Sequence, residues 1–424
     1  MLAALVVAAT LGEASYTLSE QRVAVPAATA SPASPAWSHA IDPPGDGNML
    51  AIGDGIVAFA DNGRLCAYDD KTGAGVWCAG AGSSPVYAPG VVVYATTGNA
   101  VRAVDARTGS TRWQMSDAHR IWRTGDGLVL ASVSVEDPQT RVFHATLQGV
   151  SFNGAARWSK TLPADGAEAT ATSQYLIWRW CEGGATLTCQ SAVAAYDGGI
   201  VGEVAADVLG VNGSLIVDDS SFNDLEEVQD HFLMFDIGAF DSRRGTYAAQ
   251  FTYAPDYQQN LARWNANACQ GSKDAVTRRL DGDDLYVTSC RNLYRYRLAP
   301  AAGQRPLLLA NDVTFWGGPY RQRLYVERDD GIWSLQPGAD SVRAQLVVPS
   351  SQFVADFTIA TGMGFGVFRD GSVHGFDLDS GRATFEATPC HGEGFIPVRV
   401  AATEKRIFIA CASARFWTLY AYAR

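Results

Sequence analysis

The chain carries little charge and few of the groups that do chemistry. Only 18% of its 424 residues are charged, and the formal net charge is −11. No Lys/Arg cluster interrupts that acidic background, so phosphate backbones would be repelled and nucleic acid is excluded as a natural partner. The six histidines, His39, His119, His144, His231, His374 and His391, are scattered, without the H-x-x-x-H or H-E-x-x-H spacing of a metal site. Neither a G-x-S-x-G elbow nor a P-loop glycine pattern occurs, which removes two common enzyme readings. The cysteines form no C-x-x-C pair and no Cys-Cys dipeptide, so zinc and dithiol redox motifs are missing as well. Finally, the N-terminal apolar run Leu2 to Leu11 is too short to span a bilayer.

What is present is a turn-rich globular composition. Hydrophobic residues make up 47%, with 42 Gly and 11 Trp, enough for a large buried core. The length suits either two or three ordinary domains or one large all-β ring. The eight cysteines fall into four sequential couples: Cys66 with Cys78, Cys181 with Cys189, Cys269 with Cys290, and Cys390 with Cys411. An even count with repeated spacing points to disulfides and an oxidising, extracytoplasmic compartment. The run Leu2 to Leu11 has the length of a signal-peptide core but no basic residues before it, and Ala24 to Ala36 (AVPAATASPASPA) reads as a tether or cleavage region. Residues 1–36 are therefore expected to be a signal or membrane-anchor segment plus linker, and residues 37–424 the folded domain.

The chain repeats itself. Ala67 to Trp77 and Ala103 to Trp113 share the pattern A-x-D-x-x-T-G-x-x-x-W, 36 residues apart. The repeated residues are Asp69, Thr72, Gly73 and Trp77 in one copy and Asp105, Thr108, Gly109 and Trp113 in the other. Weaker copies end at Trp158, contain Ala195-Tyr196-Asp197, or join Asp377 to Gly381 and Phe385. Each copy reads as a strand ending at the Asp, a tight Thr-Gly turn where φ can be positive, and a returning strand whose Trp packs between neighbouring sheets. These residues resemble the pyrroloquinoline-quinone-type propeller repeat of quinoprotein dehydrogenases and of the non-enzymatic lipoprotein of the outer-membrane β-barrel assembly machinery.

That resemblance implies an all-β fold, a single closed β-propeller of four-stranded blades. Outer strands end near Trp77, Trp113, Trp158, Val204, Phe251, Leu309, Val347 and Phe385, and three further strands follow, which makes eight or nine blades. The missing outer strand of the last blade is expected to be Trp37 to Ile41, closing the ring. Blade topology also tests the cysteine couples. Cys66 and Cys78 are symmetrical about Thr72 and should lie opposite one another, Cys181 and Cys189 bracket one loop, and the other two couples share a spacing of 21 residues. All four bridges fall towards one face of a propeller, the face that also carries the long loops Glu136 to Thr140, Cys181 to Gln190, Asp218 to Asp230 and Tyr253 to Lys273.

By resemblance, a quinoprotein enzyme would need a cofactor-stacking Trp, a vicinal Cys pair and Glu, Asn or Asp ligands for calcium. The vicinal pair is absent and no calcium ligands can be aligned, so no catalytic residue, cofactor or metal is expected. The acidic loop with Asp218, Asp219, Asp224, Glu226, Glu227 and Asp230 could coordinate calcium through hard oxygens, but its spacing fits no EF-hand and the plainer reading is a solvated loop. The favoured expectation is an extracytoplasmic protein-interaction scaffold, a non-catalytic subunit of an envelope or membrane-associated complex in the periplasm or on the cell surface. The alternative is a diverged quinoprotein-like oxidoreductase with a cofactor site on the propeller axis. Protein partners are expected at the long loops, with Tyr253, Tyr257, Arg263 and Trp264 as anchors beside Asp224, Glu226 and Glu227.

Overall fold

The computed structural model describes residues 8–11, 16–17, 19–23, 30–43, 48–164, 166–182, 188–205, 207–212, 215–219, 235–253, 277–289, 291–297, 307–338, 341–350, 352, 354–390, 396–412 and 417–424. Within them the regular elements are β-strands, and none is a helix long and apolar enough to cross a membrane. The strands form eight sheets built on antiparallel four-strand repeats, one of them a seven-stranded sheet that merges two repeats. The chain divides into two compact units.

The larger unit contains the two full sequence repeats. Ala51–Gly53, Ile56–Asp61 and Arg64–Asp69 pair in order with Gly75–Ala88, which continues into Val91–Thr96, Ala100–Asp105 and Thr111–Ser116. The sequence predicts two separate strands where Gly75–Ala88 runs unbroken. Its middle, Ala79 to Ser84, holds only Ala, Gly and Ser, and the pairing with Val91–Thr96 shifts register between Ser83 and Val86. Small side chains let one strand bend out of the first sheet and into the second without a turn. The next sheet is formed by Arg120–Thr124, Gly127–Ala131, Phe143–Ser151 and Ala156–Pro163, with Val135–Glu136 added at one end. Val354–Ala360, Met363–Phe368, Val373–Asp377 and Ala383–Ala387 make another. In the last, Ile396–Ala402, Arg406–Ala412 and Trp417–Ala423 are completed by Trp37–Ile41, in antiparallel register from Trp417↔Ile41 to Ala421↔Trp37. A further sheet has the order Glu168–Ala171, Leu176–Glu182, Thr188–Ala195, Gly199–Val204.

The repeat residues hold consecutive sheets of this unit together. Each outer-strand indole donates its N–H to a backbone carbonyl in the turn of the following repeat. Trp37 reaches Asp70 O at 3.1 Å, Trp77 reaches Ala106 O at 2.9 Å, Trp113 reaches Phe152 O at 2.9 Å, and Trp158 reaches Ala195 O at 2.8 Å. The turn glycine lies under the ring. A Cβ on Gly73 would stand 2.8 Å from Trp37, one on Gly109 2.8 Å from Trp77, and one on Gly154 2.7 Å from Trp113. These glycines also have φ of 70°, 70° and 89°, so backbone conformation and the docked ring both forbid a side chain. Upstream in the turn, the Asp folds back on its own backbone. Asp69 Oδ1 accepts from Thr72 N at 2.7 Å and Thr72 Oγ1 at 2.7 Å, and Asp105 Oδ1 from Thr108 N at 2.9 Å. The degenerate copy keeps the device, with Asp377 accepting from Ser380 N at 2.7 Å.

The smaller unit contains three sheets. They are Asp207–Asn212 to Thr246–Tyr253, Thr277–Asp281 to Leu307–Ala310, and Thr314–Tyr320 to Ser341–Pro349. Within residues 1–36, expected to be leader plus linker, Ala8–Leu11, Tyr16–Thr17 and Ser19–Val23 pair in parallel with the outer strands Thr246–Tyr253, Leu307–Ala310 and Ser341–Pro349 respectively. An apolar cluster including Tyr286, Leu293, Phe315, Leu324, Trp333 and Leu335 fills the space between the second and third sheets.

The disulfides Cys66–Cys78, Cys181–Cys189 and Cys390–Cys411 are formed. Cys66 and Cys78 are direct cross-strand neighbours with Cα atoms 4.0 Å apart. Cys269 and Cys290 lie outside the described residues.

The docked indoles should be measurable through the glycines beneath them. Gly55 (φ 77°) has open space where a Cβ would stand, with nothing within 4 Å, so Gly55→Ala should cost only the backbone penalty, about 1 kcal/mol. Gly109→Ala must also push Trp77 off its carbonyl, and urea unfolding should show it to be worse than Gly55→Ala by about 1–3 kcal/mol. Equal costs would show that indole docking does not hold the sheets. The turn carboxylates give a pH signature. Hydrogen bonds from Thr72 hold Asp69 below the ordinary carboxylate range, the Arg112 side chain and the Thr108 amide do so for Asp105, and the Ser380 amide does so for Asp377. A lowered folded pKa stabilises at every pH above the unfolded value and is lost as pH falls through the folded one. Thermal midpoints of wild type and an Asp69→Ala/Asp105→Ala/Asp377→Ala variant should therefore differ at pH 7 and converge below about pH 4. A gap that stays constant down to about pH 2 would count against the carboxylates as the source.

Candidate functional site

The partner-binding residues expected from the sequence cannot be assembled into a site. Asp224, Glu226, Glu227, Tyr257, Arg263 and Trp264 lie outside the described residues, and Tyr253 is described only as the last residue of its strand. Trp77, Trp113 and Trp158 join sheets, while Trp178, outside the repeat position, is buried and donates to Pro163 O at 2.9 Å.

A hairpin with exposed apolar side chains, which the sequence pattern does not single out, stands on the third repeat. Between Gly127–Ala131 and Phe143–Ser151 the chain makes a small hairpin in which Val135 pairs with His144 and Glu136 with Phe143. Its tip is an Asp turn, with Asp137 accepting from Gln139 N at 2.7 Å, and Arg141 forms an ion pair with Glu136 at 3.0 Å. Its base is tied by Thr146 N to Ser132 Oγ at 2.9 Å and by Ala164 N to Phe143 O at 2.7 Å. On this braced frame Val133 is 38%, Val135 67% and Phe143 39% exposed, three of the four large exposed hydrophobics among the described residues. Isolated exposed apolar residues need no explanation, but three on one short hairpin are unusual; Val135 lies opposite His144 and Phe143 opposite Glu136, so the hairpin shows an apolar side chain on each of its faces. The sequence signal for it is a pair of valines alternating with polar residues before Asp137-Pro138-Gln139-Thr140.

The inner strands carry a second feature. The first strands of successive repeats, Ala51–Gly53, the end of Gly75–Ala88, and Arg120–Thr124, line an open cleft of about 340 Å³ with Ile52, Val86, Tyr87, Trp122 and Arg123. Tyr87 lies flat on Gly53, where a Cβ would come within 2.2 Å of the ring. Burial, then a hydrogen bond to Asp54, raises the Tyr87 phenol above its ordinary pKa. Arg123 donates to Tyr87 O at 3.3 Å and lies 5.5 Å from the Phe152 ring centre. Trp122 meets Trp178 edge-on at 6.2 Å. Asn48, Tyr87 and Arg123 supply the polar side chains of the lining, and no carboxylate is among its ten residues. Among the described residues no group of three or more His, Cys, Asp or Glu side chains could hold a metal. This lining does not fit a quinone held beside calcium, which needs hard anionic oxygen ligands.

Four-stranded repeats, Asp-x-x-Thr-Gly turns and indoles docked on turn glycines make the chain similar to β-propeller repeat proteins of the pyrroloquinoline-quinone type. More narrowly, residues 22–197 match the family described as outer membrane protein assembly factor BamB, and the chain is similar to that protein. Solved structures with a similar course include BamB from Moraxella catarrhalis, at 12% identity, with 92% of this chain and 100% of that chain covered and a TM-score of 0.45. The quinohemoprotein alcohol dehydrogenase ADHIIG from Pseudomonas putida is 11% identical, with 92% and 76% covered and a TM-score of 0.43. A europium-containing methanol dehydrogenase is 12% identical, with 92% and 93% covered and a TM-score of 0.41. Among curated proteins nothing matches.

Proposed function

We propose that the chain is an extracytoplasmic protein-interaction scaffold, a non-catalytic subunit of an envelope complex, and that the Val133–Phe143 hairpin is a partner contact. The observation that carries this reading is the hairpin itself. Ordering an insertion costs conformational entropy without adding core, and here the ordered insertion presents Val135 and Phe143 to solvent on a braced frame. The match of residues 22–197 to an outer membrane protein assembly factor supports an envelope setting, and the disulfides support an oxidising one. Membrane tethering through the N-terminus belongs to the same proposal.

A diverged oxidoreductase with a cofactor other than a calcium-held quinone is the second reading, and the aromatic cleft of Tyr87, Trp122 and Arg123 is what favours it. An absorbance spectrum and metal analysis of protein isolated from its native host separate the two, because a bound redox cofactor would overturn the scaffold reading. The contact itself is tested with a photo-crosslinking residue at Val135 in the native envelope. A discrete adduct to an envelope protein, lost in Phe143→Ser with the melting temperature within about 2 °C of wild type, is the expected result, since surface changes are usually worth under about 0.5 kcal/mol. No adduct at Val135, or an adduct unaffected by Phe143→Ser, would remove the hairpin from the contact surface.

A further inference from the structure

The outer strand of a propeller sheet presents an unpaired edge, and such edges are normally blunted by charge or covered. In this chain the two solutions are distributed in a pattern. Most outer strands left open carry charges, with Arg112 in Thr111–Ser116, Arg157 and Lys160 in Ala156–Pro163, Glu203 in Gly199–Val204, and Glu386 in Ala383–Ala387, while the short edge Trp37–Ile41 has only His39. The outer part of Gly75–Ala88 is uncharged, and there Arg64 donates to the carbonyls of Cys78 and Ala79 at 3.4 and 3.1 Å. In the smaller unit Thr246–Tyr253 and Leu307–Ala310 carry no charge and Ser341–Pro349 only Arg343, and these three are the edges on which Ala8–Leu11, Tyr16–Thr17 and Ser19–Val23 lie.

The third of these contacts is built for a particular side chain. Ser19–Val23 pairs in parallel with Ser341–Pro349, from Ser19↔Ser341 to Val23↔Gln345. Glu20 receives a two-pronged hydrogen bond from Arg328, Nη1 to Oε1 at 2.9 Å and Nη2 to Oε2 at 2.6 Å. The Arg328 side chain is only 11% exposed, and its Nε is buried without a hydrogen-bond partner. Behind it the Trp333 ring is held by Asp330, which accepts from Nε1 at 2.6 Å. The guanidinium carbons of Arg328 and Arg22 stand 5.1 and 5.2 Å from that ring. A guanidinium so nearly buried is costly without its carboxylate, whereas a bidentate pair on an aromatic platform is among the more favourable geometries for arginine.

From this arrangement we infer that the edge of Ser341–Pro349, with Arg328 and Trp333, is a strand-binding site selective for an extended segment of pattern acidic-x-basic, and that Glu20-Gln21-Arg22 is its resident occupant, held in cis and exchangeable for a partner's strand. Backbone pairing supplies affinity, and Arg328 reads the carboxylate that sets the register. The site lies in the smaller unit and does not depend on the hairpin reading.

The test uses the full chain and a fluorescein-labelled peptide of residues 16–25. Glu20→Gln should release the resident strand, so that trypsin cuts after Arg22 at least about tenfold faster than in wild type, a change of about 1.4 kcal/mol or more in the opening equilibrium. The Glu20→Gln chain should bind the peptide at 1:1 at least about tenfold more tightly than wild type does. Adding Arg328→Glu should abolish that binding, and a peptide with Arg in place of Glu20 should restore it; melting temperatures of the variants confirm that each is folded. Equal cleavage after Arg22 in both chains, or peptide binding indifferent to Arg328→Glu, would overturn the site. A wild-type dimer that dissociates in Glu20→Gln would assign the strand to exchange between two copies and overturn the cis arrangement.

Discussion

The larger unit depends on one repeated contact, an indole laid over the turn glycine of the next repeat with its N–H on that turn's carbonyl. A sheet packed on a sheet is held mainly by nondirectional apolar burial, which tolerates sliding. The Trp-to-carbonyl bond does not, because the donor has a single N–H and the ring has a single flat seat. Trp37, Trp77, Trp113 and Trp158 make this contact in turn, so these repeats are each indexed against the next by the same few atoms. The Asp-x-x-Thr turn serves that purpose too, since its side-chain hydrogen bonds fix the loop whose carbonyl and glycine form the seat.

The repeat and its turns are legible in the sequence because each is local: an Asp, a Thr and a Gly within five residues determine their own backbone. The pairing of Trp37–Ile41 with the last strand is legible by counting, because the C-terminal repeat offers three strands where four are needed. What sequence does not reveal is non-local. That Gly109 is the seat of Trp77, as well as a turn residue, is invisible until the two repeats are set side by side. The continuous strand Gly75–Ala88 reads as two because its run of Ala, Gly and Ser looks like a loop, although small residues equally permit a strand to change sheets. The apolar hairpin is less conspicuous in sequence than the aromatic-rich long loops, because exposure of Val135 and Phe143 is a property of packing that periodicity does not report.

Where the Trp is lost, the larger unit substitutes another fastener. The degenerate copy has Phe385 in the Trp position, a ring of similar shape with no N–H to donate. Phe385 packs edge-on against Tyr422 of the following sheet at 5.3 Å, and Cys390, three residues after the strand of Phe385, is bonded to Cys411 in that same following sheet. The covalent link thus stands at the junction where the directional hydrogen bond is missing, which gives the position of this disulfide a structural reason beyond shortening the unfolded chain.

The smaller unit has neither device among its described residues at the outer-strand positions, and it differs from the larger one in a way that accounts for the N-terminal strands. Its sheets are joined by broad apolar clusters, which supply energy but little positional specificity, and its outer edges carry almost no charge. An uncharged edge invites a strand, whether from another molecule or from the chain itself. Ala8–Leu11, Tyr16–Thr17 and Ser19–Val23 meet the three edges in sequence order, each in parallel register, and the ion pair of Glu20 with Arg328 falls where register most needs to be fixed, on the longest of the three edges. Edge protection and strand recognition are then the same structural fact, and the chain's low content of charged residues is what makes the edge usable.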